Sequence, residues 1–311
     1  MIGQIARWIW RPVRDFLFHG GVALACGTRD CLVHYYVEKR NFGDLLNVDL
    51  FRHFGLRIRY AAQTYAQAVA IGSFLQRLRP MVGSIASKRP VHVLGTGFIM
   101  PMEIDRFFRP VVIHALRGRL SLAHCERILG RRLPNVVLGD PGLLIRRIFP
   151  EALKAKKRFD VALICHMKDI NSPHLRNVRL SKLTCRTIDM TQDSRTVVMQ
   201  IAECRFVLSS AMHGLICADS LGIPNRRMIL GDQVEGGDFK FEDYYSAYST
   251  VPRHDPVDLR TTAVQDEDIL SLSQEYAIDA SEVERICNCL EAEFKRYAML
   301  VQKTDRVEVR T

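Results

Sequence analysis

Along this chain, short apolar runs alternate with stretches in which apolar positions return at helical spacing. Glycine, proline, serine or asparagine stand at the changeovers. The runs are short and bounded by turn residues, so they read as strands. Cys31–Val37, Ala68–Ile71, Val91–Leu94, Val111–Leu116 and Val136–Leu138 make one set. Phe159–Cys165, Arg186–Asp189, Phe206–Leu208 and the apolar stretch after Pro224 make a second. Helical spacing falls between them, over Leu45–Leu56, Ser121–Leu129, Thr196–Cys204 and Ala211–Leu221. Strands that alternate with helices predict an α/β protein with parallel sheets. The charged stretch Glu151–Arg158 lacks a strong apolar face and divides the two sets.

The punctuation sharpens several elements. Ser209 and Ser210 are suited to cap the helix that follows them, Gly222 ends it, and Ser121 is placed to cap the helix running to Leu129. Gly72-Ser73 leads from a strand towards a further helix. Ser281-Glu282-Val283-Glu284 has the form of a capping box. The helix it opens carries Val283, Ile286, Leu290, Phe294 and Tyr297 on one face. Residues 1–19 form an amphipathic segment, 20–150 and 151–280 two domains, and 281–311 a C-terminal helix and tail.

Composition changes this picture in only a few respects. A chain of 311 residues with 48% hydrophobic and 25% charged residues has room for two ordinary cores and shows no bias to disorder. The net charge of +10 suits an anionic partner. Nine cysteines without a CxxC pair read as reduced thiols of a cytoplasmic enzyme, with neither zinc nor a disulfide framework. No run approaches the roughly 20 apolar residues of a membrane span. Both tryptophans lie in the first eighteen residues, among Arg7, Arg11 and Arg14, a pattern that fits peripheral contact with an anionic membrane face. A compact basic run with interleaved aromatics is lacking elsewhere, which argues against nucleic acid.

Candidate chemistry gathers where strands end. His213 falls in the first turn of its helix, where free N–H groups and the dipole favour an anion. Asn41, Gly43 and Asp44 follow the first strand, at the edge where open parallel sheets bind ligands. Gly95 and Gly97 permit close backbone approach, although a lone GxG does not define a dinucleotide site. Arg117, at the end of Val111–Leu116, is placed to clamp a phosphate or carboxylate. His166, Lys168 and Asp169 follow Phe159–Cys165. Lys240 sits in the aromatic cluster Phe239–Tyr245, within reach of an anion. No ligand set at metal spacing occurs.

Taken in order, these stretches resemble the polysaccharide pyruvyl transferase family. The resemblance is carried by Asn41-Phe42-Gly43-Asp44, Val93–Ile99, Leu116–Ser121, Leu138-Gly139-Asp140-Pro141, Ser209–Pro224 and Lys240–Tyr245. At Ala211 and Met212 the chain departs from relatives that have arginine or serine followed by leucine. The resemblance implies two Rossmann-like domains facing a cleft, as in GT-B glycosyltransferases. It also implies transfer of the enolpyruvyl unit of phosphoenolpyruvate to a saccharide acceptor, typically lipid-linked at the cytoplasmic membrane face, with no further cofactor. Protonating the donor's methylene requires an acid, for which His213 is the candidate. Arg117, Lys240 and backbone N–H groups around Gly97 and Ser210 would hold the donor, and Asp44 or His166 would take a sugar hydroxyl's proton. A glycosyltransferase using a nucleotide sugar shares the architecture, and a non-catalytic anion-binding scaffold shares the charge.

Overall fold

The computed structural model describes residues 30–79, 88–252 and 255–308. The amphipathic segment 1–19 lies outside them. The two alternating sets form two sheets, parallel throughout. The first contains β1 (Asp30–Val33), β2 (Arg57–Tyr60), β3 (Ala68–Val69), β4 (Val91–Leu94), β5 (Val111–Leu116) and β6 (Val137–Leu138), in the order β2-β1-β3-β4-β5-β6. The second contains β7 (Phe159–Ile164), β8 (Cys185–Ile188), β9 (Cys204–Ser209), β10 (Asn225–Ile229) and β11 (Val257–Asp258), in the order β8-β7-β9-β10-β11. Each sheet thus has its first strand flanked by its second and third. In both, the strand order reverses there, which is where such sheets open a crevice at their carboxyl ends.

The helices are α1 (Phe42–His53), α2 (Arg119–Leu129), α3 (Ile145–Ile148), α4 (Ser194–Ala202), α5 (Met212–Leu221), α6 (Phe239–Tyr245), α7 (Asp266–Gln274) and α8 (Ala280–Glu308). β9 is buried at all but one of its positions, as its apolar run demands of a central strand. β2 is different: its sequence RIRY alternates exposed arginines with half-buried residues, and Arg57 and Arg59 both pair with Asp30. A charged edge strand carries no continuous apolar signal, so β2 escaped the reading by apolar runs.

One buried apolar cluster joins the halves. Phe42, Leu46 and Leu50 of α1 meet Val197 and Ile201 of α4, Leu215 and Ile216 of α5, and Leu143–Ile145. α8 leaves the second half and returns to the first. Phe294 stacks on Phe54 at 5.1 Å and meets Phe51 edge-on at 5.7 Å, while the Tyr297 hydroxyl lies 3.0 Å from Cys31 Sγ.

Several caps differ from those expected. Ser281-x-x-Glu284 is not a capping box: Asp279 Oδ1 accepts from Ser281 N, and the Glu284 carboxylate pairs with Arg147. The N-cap of α2 is Gly118, and Ser121 lies inside the first turn with its hydroxyl committed elsewhere. The N-cap of α5 is Ala211, without a side-chain cap. Ser209 Oγ turns instead to the backbone of Ala211. After Gly72 the chain makes a 3-10 turn, Leu75–Leu78, where the further helix was expected to begin. At the other end of α5, Gly222 adopts φ 68° as its helix-stopping role requires.

Candidate active site

Three chain segments converge from the carboxyl ends of their strands. They are Asn41–Gly43 at the start of α1, Asp140–Gly142 after β6, and Ala211–His213 at the start of α5. The His213 ring packs directly against Gly43, where a Cβ would stand 2.1 Å from Nδ1. Only glycine at position 43 leaves room for the ring. A Cβ on Gly142 would lie 3.8 Å from His213 Cδ2 and 3.1 Å from Asp140 Oδ1, which puts these two side chains around the same small turn.

His213 keeps one edge partly open, but its Nε2 is enclosed and has no hydrogen-bond partner among the described residues. Leaving such an atom unpaired costs about 1–3 kcal/mol, an expense usually tolerated where a ligand completes the bond. Burial, with the charges of Arg117 and Lys240, lowers the ring's pKa to about 3. The imidazole is therefore neutral at physiological pH.

Arg117 ends β5 and is fully buried. Its Nε donates to Asp243 Oδ2 (3.0 Å), Nη1 to Ser73 Oγ (2.6 Å) and Nη2 to the Phe98 carbonyl. Asp243 belongs to α6 and also accepts from Ser121 N (2.8 Å) and Ser121 Oγ (2.6 Å). Gly118 permits this docking, because a Cβ there would come within 1.6 Å of the Asp243 carbonyl oxygen. Arg119 completes the lock through Ser246 Oγ and the Tyr248 carbonyl. The arginine strand end and the aromatic cluster, far apart in sequence, thus interlock as one structural unit.

That unit carries Lys240, which is buried and has no ion-pair partner among the described residues. Burial and the charges of Arg117 and Arg227 lower its pKa to about 8. His166 joins the group from the end of β7. Its backbone N donates to Ser210 Oγ (2.9 Å), and its Nδ1 accepts from Lys168 N (3.2 Å). This bond assigns the neutral ring's proton to Nε2, making that atom a donor. Burial, then Lys240 and Lys168, lowers the His166 pKa to about 4.

Asp44 is nearly buried. It accepts from Tyr36 N and Asn41 Nδ2, both at 3.0 Å, and burial raises its pKa to about 6. Asn47 fixes α1 to the end of β3 by bonding both N and O of Ile71. Two expected donors are not free: Gly97 N donates to the Gly72 carbonyl and Ser210 N to the Ile164 carbonyl. Gly97 serves instead to admit the Arg117 guanidinium, whose Cζ would lie 2.5 Å from a Cβ.

Asp140 has no assigned role in the sequence reading. It is fully buried, Oδ1 accepts from Gly142 N, and Oδ2 has no partner among the described residues. Burial raises its pKa to about 6. Asp-Pro-Gly reads as an ordinary turn, and nothing local reveals its nearness to His213.

The fold and this centre define a two-sheet α/β protein whose sheets meet around a neutral histidine in a field of buried cations. The family model for polysaccharide pyruvyl transferases matches residues 28–228, and the chain belongs to that family. It is a transferase of polysaccharide chemistry. An uncharacterized protein of Acanthamoeba polyphaga mimivirus is 25% identical over 238 residues, covering 73% of this chain and 77% of that one. Among solved structures, a protein of uncharacterized function from Klebsiella pneumoniae shows a TM-score of 0.41 at 13% identity, over 78% of this chain and 96% of that one. The wall teichoic acid polymerase TagF shows 0.35 at 8% identity, over 97% and 99%.

Proposed function

We propose that the protein moves the enolpyruvyl unit of phosphoenolpyruvate onto two hydroxyls of one sugar in a saccharide acceptor, closing a pyruvate ketal and releasing phosphate. The observation that carries this reading is the enclosed His213 Nε2, unpartnered among the described residues, beside Lys240, a buried ammonium with no ion pair among them. A donor bearing both phosphate and carboxylate supplies the missing negative charge. Lys240 makes the direct contact, and Arg117 adds its field from behind.

The donor's charge opposes the effects that depress His213 and raises its proton affinity. The imidazolium then protonates the C3 methylene, and the first sugar hydroxyl adds at C2. Its proton passes to Asp44, whose raised pKa suits a base at neutral pH. Loss of phosphate leaves an oxocarbenium carbon, which the second hydroxyl attacks. Of the two hydroxyl protons, one restores His213 and one leaves with phosphate. His166 Nε2–H is a hydrogen-bond donor to substrate in this scheme rather than the base.

The two parallel-sheet halves, as Rossmann-like domains with boundaries near 150 and 280, would hold donor and acceptor between them. A lipid-linked acceptor and peripheral attachment at the inner membrane face accord with the net charge of +10. Among the described residues no helix is long and apolar enough to cross a membrane. The test is phosphate release from phosphoenolpyruvate with a panel of glycosides. Acceptor-dependent release is expected, and it should vanish in His213→Ala. Turnover of a nucleotide sugar, with phosphoenolpyruvate untouched, would replace this reading with that of a glycosyltransferase.

A further inference from the structure

A cavity of about 300 Å³ lies where the segments following β7 and β10 meet. That is the lower end of the range for small-molecule sites, about 300–1,000 Å³. Its polar lining comes from Lys168, Asp169, Asn171, His174 and Gln233, with Pro173 and Leu230 as the apolar part. Ser172 Oγ bonds the Leu230 carbonyl (2.8 Å) and fixes the two segments together. Asp169 is only 3% exposed, and its Oδ2 has no hydrogen-bond partner among the described residues. The turn that positions Asp169 is tied to the histidine centre, since Asp169 N donates to the His166 carbonyl (2.7 Å).

The chemistry of this lining selects its ligand. A buried carboxylate disfavours an anion, so the donor's phosphate and carboxylate belong with Lys240, in the field of Arg117, instead. Amide side chains, a histidine, a lysine and a carboxylate together donate and accept, as hydroxyl groups do. Proline and leucine suit the C–H face of a pyranose. We infer that this cavity is the acceptor subsite and binds one neutral sugar ring of the saccharide, with Asp169 accepting from its hydroxyls. The inference rests on the transferase reading above, for it names the place of the second substrate.

Saturation-transfer NMR on the full chain, with methyl β-D-glucopyranoside, galactopyranoside and mannopyranoside as probes, tests it, alongside calorimetric titration with phosphoenolpyruvate. At least one glycoside should bind. Asp169→Asn should weaken it about tenfold, the discrimination expected when a buried polar pair is broken. Asn171→Ala and Gln233→Ala, at exposed positions that do not endanger folding, should weaken it by about threefold or more, roughly one hydrogen bond each. Phosphoenolpyruvate binding should stay unchanged in all three. Equal glycoside binding in all three variants would overturn the inference. So would a wild type that binds phosphoenolpyruvate but no glycoside, or displacement of the glycoside by inorganic phosphate. Asp169-dependent glycoside binding by a protein that ignores phosphoenolpyruvate would preserve the subsite and remove the donor reading.

Discussion

His213 owes its chemistry to what surrounds it: two helix starts, a glycine face and two buried cations. His213→Ala should lower turnover by about 10²–10⁴-fold, the range for loss of a proton-transfer group, with the melting temperature little changed. Gly43→Ala is expected to lose comparable activity although residue 43 offers no side chain to the substrate, because its Cβ would occupy the ring's place. Wild-type kinetics in that variant would show that the ring need not lie there. The pH profile of kcat at saturating phosphoenolpyruvate, which reads the donor complex, should be a bell. Its acid limb near 6 reflects deprotonation of Asp44, and its basic limb the loss of the proton that the donor's charge holds on His213. Asp44→Asn should remove the acid limb, whereas its persistence would transfer the base role to another group such as Asp140. The motifs around Asn41, Arg117, His213 and Lys240 were legible in the sequence because each ends a strand or opens a helix. Asp140 was hidden by resembling a plain turn.

At the scale of elements, α6 matters because it brings Lys240 to the first half of the molecule. Its anchor is the fully buried Arg117–Asp243 pair. Removing one partner strands the other charge, so Arg117→Ala should destabilise the protein by about 3–5 kcal/mol as well as weaken donor binding. An unchanged denaturation midpoint would refute that structural role. Gly118→Ala should also loosen α6, since the clash is with backbone and no side-chain rotation relieves it. α8 has a parallel function on the other side. Phe294→Ala should cost about 3–5 kcal/mol by opening a cavity between α8 and α1, as measured by urea denaturation.

Over the whole molecule, buried titratable groups pull in opposite directions. Asp44 and Asp140 at about 6 and Asp219 at about 7 bind protons more tightly folded than unfolded. Their contribution is present at low pH and is lost as pH rises from about 4 to about 7. His213 at about 3, with His92 and His166 at about 4, binds protons less tightly when folded. That contribution is present above about 6.5 and is lost as pH falls. Stability should therefore vary little between pH 5 and 7 in the wild type. Asp219 accepts bonds from Asn225, Tyr244 and Tyr276, and Asp219→Asn keeps its shape but removes its titration. That variant should grow more stable from pH 5 to 7 relative to wild type, by on the order of 2 kcal/mol. Parallel pH curves from urea unfolding would dismiss Asp219 as a titrating group in that range.

The sequence by itself determined the α/β alternation, the two sets, most strands and helices, and the strand-end motifs. These follow from local period and turn chemistry, which report which face of an element is buried. Local chemistry does not report against what that face is buried. Tertiary structure alone decided that Asp243 reaches back 126 positions to Arg117, that α8 returns to β1, and that His213 rests on Gly43. It also decided that the glycine and serine amides read as ligand donors are spent on the backbone, because buried N–H groups are paired wherever the chain can reach an acceptor.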